Sequence, residues 1–166
     1  MIQHTYWYDE VHELCKHWAK ETDHTVPQVA GIIAVLSPMV PWDTNLRWAY
    51  EVLTENEPKN YMLEVNLKKA LRIKSGEHPS QVLGGLKVRS FYANILRPHG
   101  TGSITIDRHM LRLIGHSKDQ VTPKQYHVIA ERYKQQARLH NLKPCAYQAL
   151  LWCLTRGGEK EYVTGN

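Results

Sequence analysis

Gly84-Gly85 stands just ahead of the run Leu86-Lys87-Val88-Arg89, and Asp107 follows Lys87 by twenty residues in an Asp-x-His-x-x-Arg pattern (Asp107, His109, Arg112). A glycine pair between two helices has two uses. It lets backbone N–H groups at the start of the second helix approach a phosphate closely, where the helix dipole favours an anion. That makes a DNA anchor which holds backbone and reads no bases. Its other use is to cap one packed helix and start the next. Asp107 also reads two ways. A carboxylate at a helix start is favourable to the dipole, and Asp is a common N-cap. Arg89 and Arg108 suit a phosphate backbone. His109 suits an orienting contact, a phosphate or a place in the core. Arg112 suits a phosphate or an acidic neighbour.

A second group lies earlier in the chain. Ser37 closes an apolar run, Trp42 follows Pro38 and Pro41, and Asn45 comes one turn later. Trp42 could stack on an unpaired base or wedge into a duplex, or it packs at a junction. Asn45 is a reader of base edges or a surface amide. Near the end, Trp152 reads as core, and Gln148 is the one polar residue there that could reach a cleft. The ten histidines show no His-x-x-x-His pair, and such a pair is what a helix would offer a metal. The three cysteines (Cys15, Cys145, Cys153) form no Cys-x-x-Cys and leave an odd count. No metal site, cofactor or disulfide framework is expected, and a reducing cytosol fits.

The elements that must position these groups read as helices throughout. Trp7, Val11, Leu14, Cys15 and Trp18 recur at helical spacing, giving an amphipathic helix near 6–21. Thr25 and Gln28 make a capping box with Pro27 just inside it. The helix it opens, near 26–36, is apolar all round and should be the central buried element. Pro38 and Pro41 end it, and Asp43 or Thr44 can cap the next helix. A basic amphipathic helix follows near 63–73, then a short turn at 80–83, the glycine pair and a helix near 86–96. Ile104-Thr105-Ile106 could be a strand, but three residues with no partner argue against a sheet. A helix near 107–114 stops at Gly115. Thr122-Pro123 and Pro144 open the last two helices, and 157–166 reads as a frayed tail.

Length and composition bound the rest. The chain has 166 residues, 42% hydrophobic and 22% charged, which is one domain of ordinary globular composition. Val29 to Leu36, the longest apolar run, falls far below the roughly 18 residues a membrane helix needs. The first residues lack the layout of a signal peptide. A cytoplasmic protein with no membrane partner is therefore expected. The net charge of +5 is uneven: −6 over residues 1–58, +7 over 59–112 and +4 over 113–166. A basic middle and end over an acidic start suits a polyanion, or is a solvated surface with no partner.

Taken together and in order, three features resemble the helix–hairpin–helix DNA glycosylase superfamily, the endonuclease III and oxoguanine glycosylase group. These are the apolar helix ending Ala34-Val35-Leu36-Ser37, the glycine hairpin with Lys87, and Asp107 with His109. The run Leu-Ser-Pro…Pro-Trp-Asp…Asn is similar to a phage-associated branch of that superfamily. The chain departs from the pattern in its adjacent hairpin glycines, in having Pro38-Met39 after Ser37, and in lacking iron–sulfur cysteines.

The resemblance implies an all-α fold of two lobes with a cleft between them. Lobe one would span about 26–105, and lobe two about 1–25 plus 106–156. It implies Lys87 as an amine nucleophile and Asp107 as the essential carboxylate, with Gly84 and Gly85 as the hairpin glycines. The partner would be duplex DNA with one nucleotide flipped out, bound by a monomer. Breaking the glycosidic bond develops positive charge on the sugar, which a fixed carboxylate stabilises. The lysine amine then takes C1′ as an imine, and elimination cuts the strand. The same fold could also serve a non-catalytic DNA-binding protein, or an enzyme that modifies bases with Asp107 in another role.

Overall fold

The computed structural model describes residues 3–55, 63–100 and 102–155; the expected tail at 157–166 lies outside the described residues. After a 3-10 turn at Gln3–Tyr6, nine α-helices follow among the described residues, with no strand.

The first is α1 (Trp7–Thr22), which buries Trp7, Tyr8, Val11, Cys15 and Ala19. Next comes α2 (Val26–Leu36), opened by the capping box of Thr25 and Gln28, and every residue from Val29 to Leu36 is buried. The Gln28 amide also donates to the carbonyls of Ile73 (3.1 Å) and Lys74 (3.2 Å). One side chain thus starts α2 and closes the end of α4 (Glu64–Lys74). Helix α2 is the hub. It packs against α1, α3 (Trp42–Thr54), α4, α5 (Pro79–Val82) and α6 (Leu86–Leu96). Gly31 allows the α5 approach, since a Cβ there would lie 2.7 Å from the Pro79 ring.

Helix α3 starts earlier than the sequence suggests. Pro41 is its N-cap and Trp42 its first residue, while the Asp43 carboxylate accepts only from the Thr44 N–H. Proline supplies the φ a helix start needs without any side-chain cap, so neither Asp43 nor Thr44 has to provide one.

The remaining helices are α7 (Arg108–Leu113), α8 (Pro123–Leu139) and α9 (Pro144–Thr155). Ile104-Thr105-Ile106 is buried and forms neither helix nor strand. Its backbone is satisfied by a side chain instead. The Tyr126 hydroxyl donates to the Ile104 carbonyl (2.8 Å) and accepts from the Ile106 N–H (3.0 Å). Tyr133 donates to the Met110 carbonyl at 2.6 Å, fixing α7 on α8.

The buried side chains form two clusters. The larger gathers α1 to α6 with Cys145, Ala149 and Cys153 of α9. The smaller holds Ile104, Ile106, Met110 and Leu111 against Tyr126, Ile129, Ala130 and Tyr133. Helix α1, expected among the C-terminal helices, therefore puts its apolar face into the larger cluster. It meets α2 and α6 there as well as α9. Its Trp7 and Tyr8 are the reason, because they need the aromatic company of Trp42, Phe91 and Trp152.

Candidate functional site

A cleft of about 460 Å³ draws its lining from α1, the α2–α3 turn, α3, α6, the 104–107 segment, α7 and α9. Lys87 and Asp107 both face it. They come from different elements. Lys87 is the second residue of α6, delivered by the glycine turn, and Asp107 is the N-cap of α7.

Asp107 is positioned by its own capping role. Its Oδ1 accepts from the N–H groups of His109 and Met110, both at 3.0 Å. The two readings of Asp107 are thus not exclusive: one oxygen starts the helix, and the residue still lines the cleft. Lys87 makes no hydrogen bond or ion pair among the described residues, and none joins it to Asp107. The residue is half-buried.

Ser37, Trp42, Asn45, Arg108 and His109 line the same cleft. Ser37 also donates to the Ala34 carbonyl at 2.8 Å, closing α2. Trp42 is buried and packs on Trp7 with ring centroids 4.8 Å apart. Asn45 is 1% exposed, so the surface-amide alternative does not hold. Arg108 donates to the Met39 sulfur at 3.9 Å, across from α7 to the α2–α3 turn.

Four expected site residues lie off the cleft wall. Gly85 takes φ +72° and ψ 147° as the N-cap of α6, a conformation that only glycine adopts readily. Gly84 needs no such freedom, and a Cβ there would lie 4.0 Å from the Lys69 ammonium. Both glycines are exposed, and the start of α6 carries no side-chain cap. Arg89 is turned back onto the hairpin, donating from Nε to the Leu83 carbonyl (2.9 Å) and from a terminal nitrogen to Ser80 (3.5 Å). It braces the turn. Arg112 takes its acidic alternative and pairs with Asp119 at 3.6 Å, exposed.

Sequence reasoning missed part of the floor. Trp7, Tyr8 and Thr105 line the cleft beside Gln148, which the sequence offered as able to reach one, and Trp152 does so as well as packing in the core. The Tyr8 hydroxyl donates to Gln148 Oε1 at 2.7 Å and lies 3.4 Å from Thr105 Oγ1, which accepts from Asn94 at 3.0 Å. Burial pushes the Tyr8 phenol well above its ordinary value, so it keeps its proton. One signal for this floor was present in the sequence: Gln148 is a lone polar residue on the apolar stripe of α9.

Among the described residues, four buried polar atoms have no partner: Trp7 Nε1 and Asn45 Oδ1, of residues that line the cleft, and Tyr92 Oη and Asn94 Oδ1, of residues that do not. Among the described residues no group of three or more His, Cys, Asp or Glu is placed to hold a metal. Nor is any helix there long and apolar enough to cross a membrane. All three cysteines are buried and in no disulfide among the described residues, and burial pushes the Cys15 thiol up to about 12.

Residues 2–159 match a family of unknown function (DUF7178), and the chain belongs to that family. No curated protein and no solved structure matches it.

Proposed function

We propose that this family member is a DNA glycosylase of the helix–hairpin–helix kind that also cleaves abasic sites through Lys87. The observation that carries the reading is the meeting of Lys87 and Asp107 in one cleft with aromatic walls, although they lie on separate elements. A protein that only held DNA would need neither group there.

A base inside a duplex cannot be reached, so it is flipped into the cleft and stacked against Trp42 and Trp152. As the glycosidic bond lengthens, the sugar gains positive charge. The Asp107 carboxylate, held by the α7 amides, stands ready to stabilise that charge without moving. The Lys87 nitrogen bonds to C1′ while the bonding pair leaves with the base. The ring then opens to an imine, from which β-elimination breaks the 3′ phosphate bond. Meanwhile the exposed glycine hairpin, with Lys69 beside Gly84, holds a backbone phosphate. The two buried clusters act as the two lobes, and the protein works on duplex DNA as a monomer.

The test is to incubate the protein with duplexes carrying a panel of damaged and modified bases, with borohydride present. Released base together with a covalent protein–DNA adduct is the expected result. Tight DNA binding with no base released from any duplex would leave a binding protein in place of an enzyme.

A further inference from the structure

The turn between α2 and α3 carries a side chain where the backbone favours none. The Val40 N–H donates to the Ser37 carbonyl at 3.3 Å, which puts Pro38 in the second place of the turn and Met39 in the third. Met39 holds φ +63°. A turn with proline second and a positive φ third is the place of glycine, which takes that conformation freely. Burial does not account for the methionine, since Met39 is 66% exposed. It lines the same cleft as Lys87 and Asp107 and, being exposed, stands at its mouth. A long, unbranched apolar side chain is thus held out in water at the entrance to the site, on a strained residue. Strain of this kind collects where it serves function. Arg108 lies beside it, donating to its sulfur at 3.9 Å.

We propose that Met39 is an apolar wedge that enters the base stack where a nucleotide has swung out, and that it fills the gap without reading the base opposite. Methionine is among the residues that part base steps in this way. Its thioether offers no hydrogen-bond donor and only a weak acceptor, so it packs against any of the four bases alike. The Arg108 guanidinium beside it meets the phosphate next to the gap, a contact that holds backbone and carries no sequence information. The protein then selects a site by what leaves the stack and is indifferent to the partner left behind. The inference rests on reading the cleft as the pocket of a flipped base, but not on Lys87 or on any bond being broken.

Fluorescence anisotropy of the full chain with end-labelled duplexes tests it. One set of duplexes carries a single tetrahydrofuran abasic analogue opposite A, C, G or T, and the reference duplex is intact. The parent protein should bind the gapped duplexes roughly tenfold more tightly than the intact one. The four opposite bases should agree within about threefold. Met39→Gly should lose about tenfold on the gapped duplexes, the worth of burying the side chain, and keep its affinity for the intact duplex. It should also melt close to or above the parent, because the turn favours glycine. A parent without preference for gaps, a spread of about tenfold or more among the opposite bases, equal losses on gapped and intact duplexes, or unaltered gapped binding by Met39→Gly overturns the assignment. So does a Met39→Gly protein that melts far below the parent, since the side chain would then serve the fold. A gap preference that depends on Met39, without base release from any duplex, would sustain it and remove the glycosylase reading. Base release by the parent, with gapped binding untouched by Met39→Gly, would do the reverse.

Discussion

Asp107 has two roles that substitution can separate. Asparagine is as good an N-cap as aspartate. Asp107→Asn should therefore leave the thermal midpoint nearly unchanged while base release falls by about 10²–10³ through loss of the charge contact. Asp107→Ala should lose the same activity and about 1 kcal/mol of stability besides. Calorimetry beside a base-release assay distinguishes the two, and an Asn variant with full activity would remove Asp107 from the chemistry. Lys87 poses the opposite case. It has no partner among the described residues, so Lys87→Gln should fold as well as the parent and form no borohydride-trapped adduct. Trapping that survives the change means another amine attacks. Lys87 and Asp107 were legible in the sequence because a glycine turn and a helix start are local signals. Trp7 and Tyr8 were not, and Gln148 was legible only as a candidate for the cleft. Their spacing says only that they face inward, and whether inward means core or cleft depends on helices far along the chain.

At the scale of elements, helix starts were the most readable feature. Thr25 with Gln28, and Pro144, are local chemistry that the surrounding fold does not override. The start of α3 was read late, since a proline alone can cap where a side-chain acceptor was expected. The buried piece at 104–106 could be placed outside a sheet, but its support by Tyr126 could not be foreseen across about twenty residues. The glycine hairpin gives a sharp prediction because its two glycines differ. Gly85 needs its positive φ, while Gly84 does not. Gly85→Ala should cost about 1–3 kcal/mol from backbone strain and weaken DNA binding. Gly84→Ala should be nearly neutral in chemical denaturation. Equal effects at both positions would mean that the hairpin is not shaped by the Gly85 conformation.

For the whole molecule, the uneven charge and the buried phenols set the response to solvent. If the basic stretch over 59–112 faces duplex phosphates, affinity should fall steeply as salt rises; a binding constant flat in salt would remove the nucleic-acid partner. Burial raises the Tyr133 phenol from 10.0 to about 12, and Tyr8 and Tyr126 shift in the same direction for the same reason. The folded protein thus keeps protons that the unfolded chain releases. This stabilisation is complete below pH 10 and is lost as pH rises through about 12. Denaturation followed by circular dichroism should show stability falling across that window. Tyr133→Phe should flatten the fall and cost about 1 kcal/mol at neutral pH through the lost bond to Met110. The Tyr8–Gln148 hydrogen bond has a further consequence, because its partners lie 140 residues apart. Joining such distant segments closes a very long loop, and contacts of that span form slowly. During refolding, α2 and its neighbours can assemble from local contacts early, whereas α1 and α9 must meet before the cleft has a floor. A stopped-flow experiment would then record helix first and ligand-binding competence last. A nascent chain still lacking α9 would be compact but unable to bind.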